Sequence, residues 1–112
     1  MGDDASSHLP LRPLAFRILM AVHEGPSFGT EIVQRIEAAE RGTKLYPANL
    51  YRRIRDLLGD GLLEECASPE GADPRRTYVR LTDAGRAVAL AEARRLRALV
   101  LDAQAARLLE EL

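Results

Sequence analysis

The chain has a single cysteine, Cys66, and therefore cannot close an intramolecular disulfide. It also lacks a cationic apolar leader and any apolar run of about 18 residues, so neither secretion nor a membrane partner is expected and the chain is read as cytoplasmic. His8 and His23 stand far from Cys66 and from each other with no ligand-like spacing, which argues against a metal site. No Ser/His/Asp or Cys/His constellation, glycine-rich phosphate loop or paired carboxylates in a plausible cleft appears, so no enzyme activity and no cofactor is expected. A cationic excess is missing as well. The formal net charge is −1 and the pI about 6.1, which taken alone argues against nucleic acid, because affinity for phosphate polymers comes chiefly from Lys and Arg.

The distribution of charge reverses that argument. Residues 1–40 carry three bases against six acids, residues 41–80 eight against six, and residues 81–112 five of each, so the segments hold −3, +2 and 0. Within the middle segment, Lys44, Arg52, Arg53 and Arg55 fall in a stretch without an acid, and Arg75, Arg76 and Arg80 in another. The preference for fifteen arginines over one lysine carries no functional weight. At 112 residues, 46% of them hydrophobic, the chain suits one domain with one modest core.

Residues 1–8 are polar and aperiodic and are expected to form a loose arm, followed by a domain over 9–82 and a last helix over 83–112. Leu14, Ala15, Ile18, Leu19 and Val22 recur at helical spacing up to the Gly25-Pro26 stop, predicting a first helix from about Arg12 to Glu24. Ser27 is expected to cap a second helix in which Ile32, Val33 and Ile36 face the core and Glu31, Gln34, Arg35 and Glu37 face water, ending near Arg41-Gly42. Gly29 is read as a backbone position, at the helix entry or in close packing with the third helix. Pro47 suits the first turn of that third helix, whose apolar residues Leu50, Ile54, Leu57 and Leu58 precede Gly59-Asp60-Gly61. Leu62–Cys66 and Thr77–Leu81 read as two strands joined by the turn-rich SPEGADPRR. Thr82 then caps a long helix with Asp83 in its first turn. The fold class expected is mainly α, an α+β winged helix: a three-helix winged helix-turn-helix with a two-stranded wing and a long C-terminal dimerisation helix.

Helical phase divides the third helix. At 100° per residue the core stripe centres between Leu50 and Ile54, leaving Ala48, Arg52, Arg55 and Asp56 outward with Asn49 and Tyr51 on the flanks. An α-helix fits the major groove, where its N-terminal residues reach base edges and its dipole favours phosphate. Arg52 is thus the candidate for bidentate contact with guanine and Asn49 for adenine, while Ala48 permits close approach. Tyr51 and Arg55 suit phosphate oxygens, which fix register without reading sequence, and Lys44 is a further DNA-binding candidate. The bland alternative is a solvated arginine face. The hairpin weighs against it, since Arg75 and Arg76 stand where a wing would meet the adjacent backbone or minor groove, although Glu70 and Asp73 at the tip oppose deep insertion.

Run to the C-terminus, the last helix would span about 42 Å over roughly 28 residues, too long for one small domain. Its apolar residues also occupy two faces. Val88, Leu96, Leu99, Ala103 and Ala106 form one stripe, and Leu90, Leu101 and Leu108 lie roughly opposite. One face suits the chain's own domain and the other needs a partner, most simply in a two-fold homodimer. Val88, Leu90, Leu96, Leu99, Leu101, Ala103 and Leu108 are the candidate dimerisation residues, and a surface helix frayed beyond Leu101 is the alternative.

From about Leu9 onward the chain resembles the PadR family of winged-helix transcriptional regulators, in its short form with one C-terminal helix. The resemblance rests on EGPSFGTEIVQRIE at Glu24–Glu37, NLYRRIRDLLGDGLLEE at Asn49–Glu65 and RRTYVRLTDAGR at Arg75–Arg86, in that order and spacing. It implies a winged domain with a dimerisation helix and, for most members, repression of transcription. Tyr51 matches the family's recognition-helix tyrosine, and Arg75 with Arg76 its basic wing residues. Some members hold flat aromatic drugs between tryptophans at the dimer centre; this chain has no Trp and 4% aromatic residues, so that mode is not expected. Ala72-Asp73-Pro74 also departs from the more basic wing of the family.

The reading is a dimeric, sequence-specific repressor that binds double-stranded DNA at a pseudo-palindromic operator. Its rival is a winged-helix protein-interaction module whose arginines are merely solvated. A third reading adds a small-molecule effector of unknown identity at the dimer interface.

Overall fold

A computed structural model describes residues 5–39 and 47–109. Helix α1 (Pro13–His23) is followed by a short strand β1 (Ser27–Phe28), helices α2 (Gly29–Ala39) and α3 (Pro47–Gly59), strands β2 (Leu63–Cys66) and β3 (Tyr78–Leu81), and helix α4 (Asp83–Ala105). The sheet is antiparallel in the order β1-β3-β2, with Ser27 opposite Val79 and Leu63 opposite Leu81. The architecture is a winged helix. Among the described residues no helix is long and apolar enough to cross a membrane.

The core forms where the three helical stripes meet the sheet. Ile18 and Leu19 of α1, Ile32 of α2 and Leu50 of α3 are fully buried and pack with Leu62, Leu63 and Val79. Each helix therefore presents one apolar face inward and leaves its polar face available. Both α3 and α4 end in the same hydrogen-bonded motif. After α3, the amide of Leu62 donates to the carbonyl of Leu57 and that of Gly61 to Leu58, with Gly61 at φ 75°; this left-handed corner is where glycine is at no disadvantage.

The expected cap at Ser27 is replaced by a third strand. Ser27 is buried, its backbone pairs with Val79, and its Oγ donates to the Gly25 carbonyl and accepts from Arg35. Arg35, expected to face water, turns inward instead: its Nη1 donates to the Ala21 carbonyl at 2.6 Å and to Ser27 Oγ at 2.8 Å, tying α2 to α1 and β1. The carbonyl at the end of a neighbouring helix is a fitting acceptor for a cation. The expected end of α2 at Arg41-Gly42 lies outside the described residues. Within the segment read as a loose arm, Ala5–His8 form one turn of 3-10 helix, and Ala5 packs on the core.

Helix α4 is shorter than expected. It stops at Ala105, where Arg107 adopts φ 63° and the amides of Leu108 and Arg107 bond back to Ala103 and Gln104. Its 23 residues span about 34 Å, so the chain reaches 51 Å in its longest dimension. The first half is welded to the domain. Thr82 Oγ1 donates to the Gly61 carbonyl at 2.6 Å and accepts from the Gly85 amide at 2.9 Å, while Gly85 lies directly on the Leu62 carbonyl. Val88 is buried in the core, so this candidate dimerisation residue belongs to its own domain.

Glu92 is the one fully buried carboxylate among the described residues, at 2% exposure. Its oxygens take two hydrogen bonds from Arg95 at 2.7 and 2.8 Å, which hold its pKa below the ordinary glutamate range against the opposing pull of burial. The amide of Leu11 also stabilises the charge, so Glu92 clasps the segment preceding α1 to α4.

Candidate nucleic-acid interface

Helix α3 sits with Leu50, Ile54 and Leu57 buried, and this fixes its other face. Ala48, Asn49, Arg52 and Arg55 are all exposed, as the phase of the helix requires. Lys44 lies outside the described residues. Tyr51 is 46% exposed, and its ring lies over Gly29: a Cβ on that glycine would come within 2.4 Å of Tyr51 Cε1. Gly29 thus leaves space for the tyrosine at the start of α2, and the close packing with α3 expected from the sequence is present.

This contact separates stability from placement. Gly29→Ala removes no core contact, and the atoms it meets are the far end of a side chain that can swing away. The melting temperature should stay within about 3 °C of wild type, since helix formation favours Ala over Gly by roughly 1 kcal/mol. The Tyr51 ring should nevertheless move, visible as a shift of its aromatic NMR signals. Unchanged Tyr51 signals would contradict the packing described.

The arginines of α3, β3 and the wing fall into two groups. Arg52 and Arg55 make no ion pair with any described residue. The others are compensated: Arg53 with Asp56 at 3.0 Å, Arg80 with Glu64 directly opposite on β2 at 2.6 Å, and Arg75 with Asp73 at 3.1 Å. At the wing, Asp73 Oδ1 accepts from both the amide and Nε of Arg75 while Oδ2 accepts from its Nη2. These bonds, the side-chain one foremost, hold the Asp73 carboxyl below the ordinary aspartate range. The Arg76 amide closes the turn onto the Asp73 carbonyl at 3.2 Å. Its guanidinium sits 4.1 Å from the centre of the Phe28 ring, which in turn meets Tyr78 edge to face.

Between α3 and the sheet runs an open cleft of about 410 Å³, lined by Tyr51, Arg52, Arg55, Leu58, Glu65 and Thr77 among others. Helix α3 and the sheet therefore border one continuous surface. Its donors are the forks of Arg52 and Arg55 and the amide of Asn49, a set suited to base edges and phosphate oxygens.

On the opposite side, an apolar groove of about 530 Å³ runs between α1 and α4 past Phe16, Met20, Ala89, Leu90 and Ala93. Of the remaining candidate dimerisation residues, Leu90, Leu99, Leu101 and Leu108 are half or more exposed, and Leu96 and Ala103 are partly covered. Sequence reasoning missed Phe16 and Met20, which lie off the core stripe of α1. It also missed Phe28 as the seat of Arg76, a pairing between residues far apart in the chain. Among the described residues no cluster of His, Cys, Asp and Glu could hold a metal ion.

Residues 18–91 match the model of the transcriptional regulator PadR-like family. A PadR-like transcription factor from Bacteroides fragilis is 22% identical with a TM-score of 0.71, covering 91% of this chain and 97% of its own. The transcriptional regulator BldR from Sulfolobus solfataricus is 24% identical with the same TM-score of 0.71, over 89% of this chain and 66% of that one. Bacillus subtilis PadR in complex with operator DNA aligns at 21% identity and a TM-score of 0.57, covering 67% of this chain and 43% of its own. No curated protein matches the chain.

Proposed function

Because the chain belongs to the PadR-like family of transcriptional regulators and is not an enzyme, we propose that it is a cytoplasmic, dimeric repressor whose α3 helices enter successive major grooves of a pseudo-palindromic operator. The observation that carries this reading is the pair Arg52 and Arg55, exposed on the outer face of α3 without an acidic partner among the described residues. Their neighbours Arg53 and Arg80 are compensated by Asp56 and Glu64, so the uncompensated charge of this face gathers at Arg52 and Arg55. Arg52 and Asn49 read bases beside the small Ala48; Lys44, Tyr51 and Arg55 hold phosphates; Arg75 and Arg76 meet the flanking backbone. The dimer forms through the projecting half of α4, with its exposed Leu99 and Leu101, and through Leu108 just beyond it. Residues 9–82 act as the reading head and 83–112 as the dimerisation segment. The operator complex of Bacillus subtilis PadR supports DNA as the partner.

A two-fold dimer sets its recognition helices about 34–36 Å apart, one turn of B-DNA. The test is a gel-shift titration against the DNA upstream of the chain's own gene at several salt concentrations. Binding should weaken linearly in log K against log salt, with a slope near −0.9 for each phosphate neutralised. A protein-interaction module would show no such DNA complex at any salt concentration.

A further inference from the structure

At the wing one carboxylate takes two nitrogens of a guanidinium, as Glu92 does for Arg95, but here the arginine lies open to solvent. Arg53 and Arg80 are paired by single contacts from another turn or strand. Arg75 is chelated: both Nε and Nη2 are taken by the two oxygens of Asp73, two residues earlier, and the same carboxylate lies 3.9 Å from Arg76. The Nε–Nη2 fork is the edge with which a guanidinium grips a phosphate in bidentate fashion. Yet the side chain of Arg75 is 89% exposed, so nothing except this carboxylate fixes where it points.

Taking DNA binding as the function, we propose that Asp73 is an internal competitor for DNA phosphate: its carboxylate occupies the fork of Arg75, and the wing engages the backbone only by exchanging that carboxylate for a phosphate. Two features of the turn make the exchange local. The backbone is held independently by the Arg76 amide on the Asp73 carbonyl and by Ser68 Oγ, whose single proton lies within reach of that carbonyl at 3.3 Å and of the Arg76 carbonyl at 3.5 Å. Arg76 keeps its seat on Phe28 whether or not Arg75 moves. Arg52 and Arg55 carry no such restraint among the described residues, so α3 has no carboxylate to displace. Asp73 then sets how much the wing adds to affinity.

The test is a double-mutant cycle on DNA affinity with Asp73→Asn, Arg75→Ala and the two combined. Asparagine keeps an oxygen for the Arg75 amide, so the turn persists, but it cannot chelate the guanidinium as a charged pair. Asp73→Asn should bind operator DNA about three- to tenfold more tightly near 0.1 M salt, with a salt slope steeper by roughly 0.9 per subunit. In the Arg75→Ala background the same substitution should have no effect. Tightening that persists without Arg75 would reduce Asp73 to one charge in a diffuse field and overturn the exchange. Wild-type binding with Asp73→Asn unchanged or weaker would overturn it too while leaving the DNA-binding reading intact. No binding by wild type or any variant would overturn both.

Discussion

Gly85→Ala is expected to lower the melting temperature by roughly 10–20 °C, the largest stability effect of any single methyl group in the chain. A Cβ at this position would stand 2.0 Å from the Leu62 carbonyl oxygen and 3.1 Å from Leu81 Cδ2. The first of these is backbone and cannot rotate away. That oxygen also accepts the Thr82 amide at 3.2 Å, and Thr82 caps α4 through the Gly85 amide. Relieving the clash therefore means lifting the first turn of α4 off the exit of α3, which loosens the cap and uncovers Val88. Overpacking costs about 1–3 kcal/mol in a tolerant core and more where backbone must move, and in a domain of this size each kcal/mol is worth about 4–6 °C. Gly59→Ala is the control, since nothing lies within 4 Å of a Cβ there; it should melt at or slightly above wild type. A Gly85→Ala protein melting within 3 °C of wild type would refute the close approach.

Arg52→Ala is expected to have the largest effect on recognition, and it should act on sequence preference rather than on binding in general. A bidentate arginine–guanine contact discriminates by about 1–3 kcal/mol. A dimer presents it twice, so affinity for the preferred operator should fall roughly 30-fold to 10⁴-fold while affinity for scrambled DNA changes little. On the same proposal Arg55→Ala removes a phosphate contact, and it should weaken both DNAs alike and reduce the salt slope by about 0.9 per subunit. The measurement is the ratio of operator to scrambled-DNA Kd for each variant. An equal loss on both DNAs for Arg52→Ala would assign that residue to phosphate.

The contrast between Arg52 and Arg35 shows what the sequence can and cannot convey. Arg52 was legible because its exposure follows from the phase of Leu50, Ile54 and Leu57 along one helix, a local relation. Arg35 has the same residue type on another amphipathic helix, yet it turns inward because its acceptors, the Ala21 carbonyl and Ser27 Oγ, arrive from other elements. The strand β1 is two residues long and offers no alternation to detect; only its pairing with β3 defines it. The end of α4 was overrun because neither Gly nor Pro marks it, and the left-handed corner falls on Arg107, a residue that seldom adopts it. At the interface the acidic character of the wing was visible in Asp73, but its chelation of Arg75 depends on a turn that brings both guanidinium nitrogens onto one carboxylate.

The clasp at Glu92 has a mechanical consequence. Thr82, Gly85 and Glu92 fasten the near half of α4 to the winged domain at three points, whereas the half beyond Glu92 projects roughly 20 Å with none of its side chains buried. Such a helix is a lever with a stiff fulcrum. A tilt of about 5° about this joint would displace the far end by roughly 2 Å. In the proposed dimer, the spacing between the two winged domains would then be set at the far ends of the levers, remote from Arg52 and Arg55.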